Sequence, residues 1–312
     1  MESIRIASRA SMLALAQSHQ VRDRLLALES DLEVSIVQVT TQGDRDKSDF
    51  LYKSESVGFF SSEVEKALLE DRADLAVHSL KDLPTAITDG LCIGAIPQRN
   101  RVADALIAGQ SVQSIEDLKA GATIGTSSLR RIAQIRRKRT DLQCVPLRGN
   151  VETRVNKVLS GKLDAIVIAS AGLDRLGMSD KISVELPLSE FVPAPAQGAL
   201  AIQTRSDDSA LRNLVVQLDH PETRLTVETE RLVLAHTQGG CSIPLGVHAT
   251  LDGNELTIHA LLIDIEGKVC IERTSTGPAA EAPTLARDIA TELLDHGGQA
   301  ILDEIRRERD AS

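Results

Sequence analysis

The chain has no tryptophan, one tyrosine and four phenylalanines in 312 residues. Bases have few rings to stack on, which disfavours a nucleic-acid binder. The net charge of -10 disfavours it again, because such surfaces are basic. Cysteine is also sparse, and four at irregular spacing do not make a disulfide framework. Cys92, Cys144 and Cys270 lie in apolar runs and read as reduced core residues. There is no CxxC or HExxH pattern and the histidines are scattered, so no metal site is expected. No apolar run approaches the roughly 20 residues a membrane helix needs. Met1-Glu2-Ser3 runs straight into a strand-like segment, so no secretory leader and a soluble cytoplasmic protein are expected. The hydrophobic content of 42% suffices for two or three domains with real cores.

What is present stands out against that background. Between Thr126 and Arg139 there are six basic side chains and no acid. Like charges so close repel, so an anion is expected to hold some of them: a small molecule bearing several carboxylates. Thr126-Ser127-Ser128 follows a strand-like segment and opens a helix, where backbone N–H groups lack intrahelical partners. Hydroxyls there either cap the helix or bind an anion. Arg130 and Arg131 follow directly, and the forked guanidinium suits a carboxylate. Arg136, Arg137, Lys138 and Arg139 read instead as an exposed helix end, favourable against the dipole. Arg148, Arg154 and Arg175 each stand shortly after a strand, where they are either surface ion pairs or parts of a shared anion site.

Two further positions suggest chemistry. Lys81-Asp82 follows a strand and precedes Pro84. The plain reading is a loop ion pair. The functional one is an ionised carboxylate that stabilises a developing cation and shuttles a proton. Cys241 sits on the glycine-flanked turn Gly239-Gly240-Cys241, unlike the other three cysteines. A buried structural thiol is one reading. A nucleophile or attachment point is the other.

The pattern predicts an α/β fold. Residues 4–7, 33–39 and 74–77 read as strands and 11–28 and 61–71 as helices, with Leu13, Ala16, Leu25 and Leu28 as apolar positions of the first helix. Residues 40–56 are polar and turn-rich, long for a connection. The grammar then repeats: strands at 123–125, 142–145 and 164–169, helices at 127–139 and 151–159. This implies two similar lobes with largely parallel sheets and ligands at the carboxyl ends of the strands. Pro193 to Gly198 reads as a crossing between lobes, and 198–204 as a further strand. A helix over 221–235, strands at 243–250, 255–263 and 268–273 with Asp252-Gly253 as a tight turn, and helices at 283–295 and 299–309 make a separate α+β domain.

These segments resemble the porphobilinogen deaminase (hydroxymethylbilane synthase) family. The likeness rests on Arg9-Ala10-Ser11, His78-Ser79-Leu80-Lys81-Asp82-Leu83-Pro84, Gly125 to Arg131, Leu147-Arg148-Gly149-Asn150, Ala171-Gly172-Leu173, Pro195-Ala196-Gln197-Gly198 and Gly239-Gly240-Cys241, in that order. It implies two lobes like type II periplasmic binding proteins and a smaller C-terminal domain with a three-stranded sheet. The implied boundaries are 1–97 plus 198–216, 98–197, and 217–312. It also implies stepwise head-to-tail condensation of four porphobilinogen molecules to 1-hydroxymethylbilane with loss of four ammonia, in haem and chlorophyll biosynthesis. The primer would be a dipyrromethane cofactor held by a thioether at Cys241, with Asp82 as the catalytic carboxylate. By resemblance Ser79, Lys81, Thr126, Ser128, Arg130, Arg131 and Arg154 hold the cofactor. Arg9, Ser11, Gln17, Arg148 and Arg175 bind substrate, and Gly58 and Phe60 belong to a loop over the site. A monomer is implied, with no nucleic-acid or membrane partner and with product handed to uroporphyrinogen-III synthase. Two positions depart from the family pattern: Val57 stands where a loop lysine is usual, and Met12 where a proline is common. The rival is a two-lobed module that binds a carboxylate ligand reversibly and does no chemistry.

Overall fold

A computed structural model describes residues 2–40, 61–109, 111–237 and 243–310. Val57, Gly58, Phe60 and Cys241 lie outside the described residues. In chain order the elements begin β1 (Ser3–Arg9), α1 (Met12–Leu28), β2 (Glu33–Val39), α2 (Ser62–Leu69), β3 (Leu75–Ser79), β4 (Leu91–Ala95) and β5 (Asp104–Ile107). Next come β6 (Thr123–Gly125), α3 (Leu129–Lys138), β7 (Gln143–Val145), α4 (Val151–Leu159), β8 (Ala165–Ala169), α5 (Ser170–Arg175) and β9 (Val184–Glu185). The last part holds β10 (Leu200–Arg205), α6 (Ser209–Val215), α7 (Pro221–His236), β11 (Leu245–Asp252), β12 (Glu255–Ile263), β13 (Cys270–Pro278), α8 (Ala282–Leu293) and α9 (Gln299–Asp310). Two compact units result. One holds residues 2–40, 61–100 and 198–224, the other 101–197 and 225–310.

The first unit carries a sheet of order β2-β1-β3-β10-β4, with β2, β1 and β3 parallel and β10 antiparallel to both its neighbours. The second carries β7-β6-β8-β5-β9, where β7, β6 and β8 are parallel and β5 is antiparallel to both its neighbours. Order and direction match strand for strand, so the two lobes expected from the repeated grammar exist. The expectation of largely parallel sheets holds for four strands of five in each, and the fifth is reversed. That strand is in each case the first to follow a passage of the chain from the other unit.

Local chemistry sets the element ends. Ser11 accepts a capping bond from Ala14 N (3.3 Å), and Asn150 accepts one from Thr153 N (2.8 Å), which satisfies donors at the starts of α1 and α4. Pro221 opens α7, where a missing N–H costs nothing, and the His220 ring nitrogen accepts from Thr223 N. The face that α1 buries is Gln17, Ser18, Val21 and Leu25. Leu28, expected inward, is 40% exposed, so the apolar positions read from sequence described that face only in part.

The C-terminal strands form an antiparallel sheet of order β11-β12-β13. Asp252 pairs with Glu255, so the tight turn is Gly253-Asn254, one residue later than expected. Helices α8 and α9 cover this sheet through Ala286, Ile289, Leu293, Ile301 and Ile305. Leu129 and Ile132 of α3 pack into the same cluster, while Ile135 packs with Leu106, Ile124 and Val167 of the neighbouring α/β sheet. Helix α3 therefore has apolar contacts on both sides, and only its basic last turn reaches solvent. Cys92, Cys144 and Cys270 are half-buried rather than core, and burial pushes the Cys144 thiol up to about 11.

Candidate active site

In the first unit the expected site residues gather at the carboxyl ends of β1 and β3. Arg9 ends β1, and α1 starts three residues on. Strand β3 delivers Ser79, then turns at once through a single helical turn, Leu80–Asp82. Leu80 is fully buried and its N–H bonds Ala199 O at 3.0 Å, which fixes the turn and leaves Asp82 exposed. Gln17 is buried on α1 and donates Nε2 to Ser79 Oγ at 2.8 Å. An open pocket is lined by Arg9, Ala14, Gln17, Ser61, Val64, Val77, His78, Ser79 and Asp82. The structure thus brings Arg9, Gln17, Ser79 and Asp82 together. Ser11 caps α1 beside them, and Lys81 lies in the same turn. The sequence reading did not single out Ser61 or His78.

In the second unit the cations gather at the carboxyl ends of β6, β7 and β8. Ser127 Oγ donates to Leu147 O (3.1 Å) and accepts from Leu147 N (2.9 Å), tying the start of α3 to the segment that carries Arg148. Ser128 is the N-cap of α3, yet its hydroxyl makes no capping bond. Thr126 is buried, and its Oγ1 accepts from Ser128 N at 3.3 Å. Arg148 is half-buried, and Arg154, one turn into α4, donates Nε to Gly149 O at 2.8 Å. Gly149 has a φ of +108°, open to glycine and little else. Arg175 ends α5.

Arg130 and Arg131 are almost fully buried, 3% and 8% exposed, and both reach Asp104. Arg131 Nη2 lies 2.7 Å from Oδ1, and Arg130 Nη2 lies 2.8 Å from Oδ2 in a close charge contact poorly aligned for a hydrogen bond. Gln197 adds an Nε2 donor to Oδ1 at 2.8 Å. Burial on its own raises the Asp104 pKa. The charges of Arg130 and Arg131, with hydrogen bonds from Arg131 and Gln197, more than reverse this and hold it well below the usual carboxylate range. Burial pulls the Arg130 pKa down, against the pull of Asp104. The basicity of a guanidinium still leaves it charged, so the site is an anion between two cations. The anion expected to hold these arginines is thus partly the chain's own. The basic run at the end of α3 is accounted for as a solvated end: Arg136 pairs with Glu266, Lys138 with Glu190 and Arg139 with Asp141.

The donor set fits a ligand bearing carboxylates. Arg130 Nε and Arg131 Nε are buried N–H groups with no hydrogen-bond partner, a costly state unless something else accepts from them. Ser170 Oγ at the start of α5 is likewise buried and unpaired. Among the described residues no cluster of histidine, cysteine and acids could hold a metal ion.

Comparison with known proteins decides the family. Residues 4–213 match the model for "Porphobilinogen deaminase, dipyromethane cofactor binding domain", and residues 224–295 that for "Porphobilinogen deaminase, C-terminal domain". The chain belongs to the porphobilinogen deaminase family. A porphobilinogen deaminase of Syntrophobacter fumaroxidans is 42% identical over 304 residues, 97% of this chain and 98% of its own. The porphobilinogen deaminase of Chromobacterium violaceum is 42% identical over 308 residues, 99% of each chain. Among solved structures, the BvgS periplasmic VFT2 domain of Bordetella pertussis is 16% identical with a TM-score of 0.40, covering 70% of this chain and 86% of that one. The periplasmic aliphatic sulphonate binding protein SsuA of Escherichia coli is 15% identical with a TM-score of 0.38, covering 76% and 71%. Likeness at that level adds nothing to the strand orders above. No described helix is long and apolar enough to cross a membrane.

Proposed function

We propose that the chain condenses four porphobilinogen molecules head to tail, releases four ammonia, and yields 1-hydroxymethylbilane from a primer on Cys241. The observation that carries this reading is the pocket that places Asp82 beside Arg9, Gln17 and Ser79. Porphobilinogen bears an acetate and a propionate, and Arg9 and the Gln17 amide are matched to them. Departure of ammonia leaves a cationic carbon, and the Asp82 carboxylate is suited to stabilise it. The same carboxylate can take the proton lost from the attacking pyrrole carbon and pass it to the released ammonia, which leaves as ammonium, so each cycle exchanges a C–N bond for a C–C bond and returns Asp82 to its starting state.

The dipyrromethane, when bound, supplies the nucleophilic pyrrole carbon that primes the chain. Thr126, Ser128, Arg130, Arg131 and Arg154 are the residues that would hold its carboxylates, and Ser79 and Lys81 are assigned to it by the family pattern alone. Arg148, Arg175 and Ser11 are assigned to incoming substrate and growing chain. Gly58 and Phe60 are assigned to a loop, in which Val57 removes the usual cation. We take the chain as three domains, a cytoplasmic monomer that passes its product to uroporphyrinogen-III synthase.

Intact mass of the purified protein tests the proposal. The unaltered protein is expected to carry a two-pyrrole adduct, Cys241→Ser none, and Asp82→Asn the adduct with at least a hundredfold slower product formation. An adduct on Cys241→Ser sinks the attachment site. Absence of any adduct on the unaltered protein favours the rival reversible binder.

A further inference from the structure

Behind the first unit's pocket runs a buried chain of hydrogen bonds. Thr88 Oγ1 donates to Glu65 Oε2 at 3.1 Å, and Gln203 Nε2 donates to Glu65 Oε1 at 2.8 Å. The amide nitrogen of Gln203 thus faces Glu65 and its oxygen faces the other way. That oxygen lies 2.9 Å from Nε2 of His78. It cannot donate, so Nε2 carries the ring proton and Nδ1 is a bare acceptor. Gln203 is fully buried and Glu65 and His78 nearly so. Burial also pushes the imidazole down to about 4, so the ring is neutral at ordinary pH. Nδ1 has no partner among the described residues, and His78 lines the pocket with Asp82, Ser79 and Ser61.

On the activity proposed above, the pocket receives an aminomethylpyrrole. Such a molecule brings N–H donors as well as carboxylates. Arg9 and Gln17 serve the carboxylates, which leaves the N–H groups in need of acceptors, of which the exposed Asp82 carboxylate is one. A charged imidazole would repel the cationic carbon formed when ammonia departs, whereas a neutral one held in the Nε2–H form does not. We infer that His78 is a substrate-binding residue: its Nδ1 accepts a hydrogen bond from an N–H of the bound aminomethylpyrrole, and Gln203 and Glu65 exist to hold that tautomer.

Two holoenzyme variants separate this role from a structural one. His78→Asn keeps an acceptor near the Nδ1 position and loses the bond to Gln203. His78→Gln keeps the reach to Gln203 and loses the acceptor. The expected result is KM for porphobilinogen within about threefold of the unaltered enzyme in His78→Asn and about tenfold higher in His78→Gln, the worth of one hydrogen bond. The reverse order would mean that the ring is only a buried tie, and equal effects in both would mean that the acceptor does not matter; either overturns the inference. Should His78→Asn not fold, 15N-histidine spectra of the Asp82→Asn holoenzyme decide. Saturating porphobilinogen is expected to shift the His78 Nδ1 signal upfield while Nε2 stays protonated, and an unmoved Nδ1 refutes the contact. Turnover by the unaltered enzyme establishes the activity separately, so a flat result at His78 counts against this contact alone.

Discussion

Asp104 shows how much a single residue can change the meaning of its neighbours. Arg130 and Arg131 alone are a request for a ligand; with Asp104 between them they are a preorganised site in which one of two positive charges is already offset. Such a site holds its guanidiniums in place before any ligand arrives, which lowers the ordering cost of binding. Replacing the acid by its isostere leaves two buried cations with no anion. We expect Asp104→Asn to lower the stability of the cofactor-free protein by about 3–5 kcal/mol, read from the urea midpoint at unchanged slope. A shift below about 1 kcal/mol would show that Asp104 is not what neutralises the pair. The arginines were legible in the sequence because residue type, crowding and position after a strand all point to anions. Asp104 was not, because an acid inside an apolar run announces a buried counter-charge only once its partner strand is known. Asp82 and Gln17 were legible through motif likeness, and the pocket now gives them a shared place. Cys241 lies outside the described residues and stands on sequence alone.

At the scale of elements, α3 and the loop between β12 and β13 set each other's position. Gly267 lies in that loop with a φ of +75°, and a Cβ there would sit 2.4 Å from Arg137 N and 2.8 Å from Arg136 C. Those are backbone atoms and cannot step aside. Arg136 meanwhile donates Nη1 to Ile265 O at 3.0 Å. Gly267→Ala is therefore expected to cost well over 2 kcal/mol in the denaturant midpoint. Gly161→Ala is the control: φ is +70° there but nothing lies within 4 Å, so about 1 kcal/mol is expected. Equal losses would mean that backbone strain rather than the contact with α3 dominates. A second join is made by Glu230 of α7. It is fully buried and accepts from Ala196 N at 2.6 Å and Ala249 N at 2.9 Å. The first of these holds Ala196 at a φ of +61°, a conformation that alanine rarely adopts. Long periodic elements were readable from the sequence, β2, α4 and β12 to the residue. Strands β4, β5 and β9 were missed, since two to five residues show no period and their pairing is decided by distant segments. The buried face of α1 was read only in part, because Gln17 and Ser18 are buried despite their chemistry, Gln17 held by a specific bond.

The two units differ in how acid acts on them. His78 in the first has an ordinary value of 6.5 when unfolded and about 4 when folded. The unfolded chain therefore binds the proton first as pH falls, and stability is lost from about pH 6.5 downward, by about 2 kcal/mol at pH 5. Asp104 in the second has a depressed pKa, so its contribution is present above the ordinary carboxylate range and is lost only well below it. Hydrogen exchange, corrected for intrinsic rates, should show β1 and β3 losing protection relative to β6 and β8 between pH 7 and 5. Earlier loss in β6 and β8 would contradict this. The strand orders carry a further consequence for biosynthesis. Among the described residues strand β4 pairs only with β10, and β10 also covers the open side of β3. A ribosome must therefore deliver residue 205 before the N-terminal sheet can close, whereas the sheet running from β5 to β9 has all its strands by residue 185. The middle of the polypeptide can finish first, and the segment made earliest waits longest for its last partner.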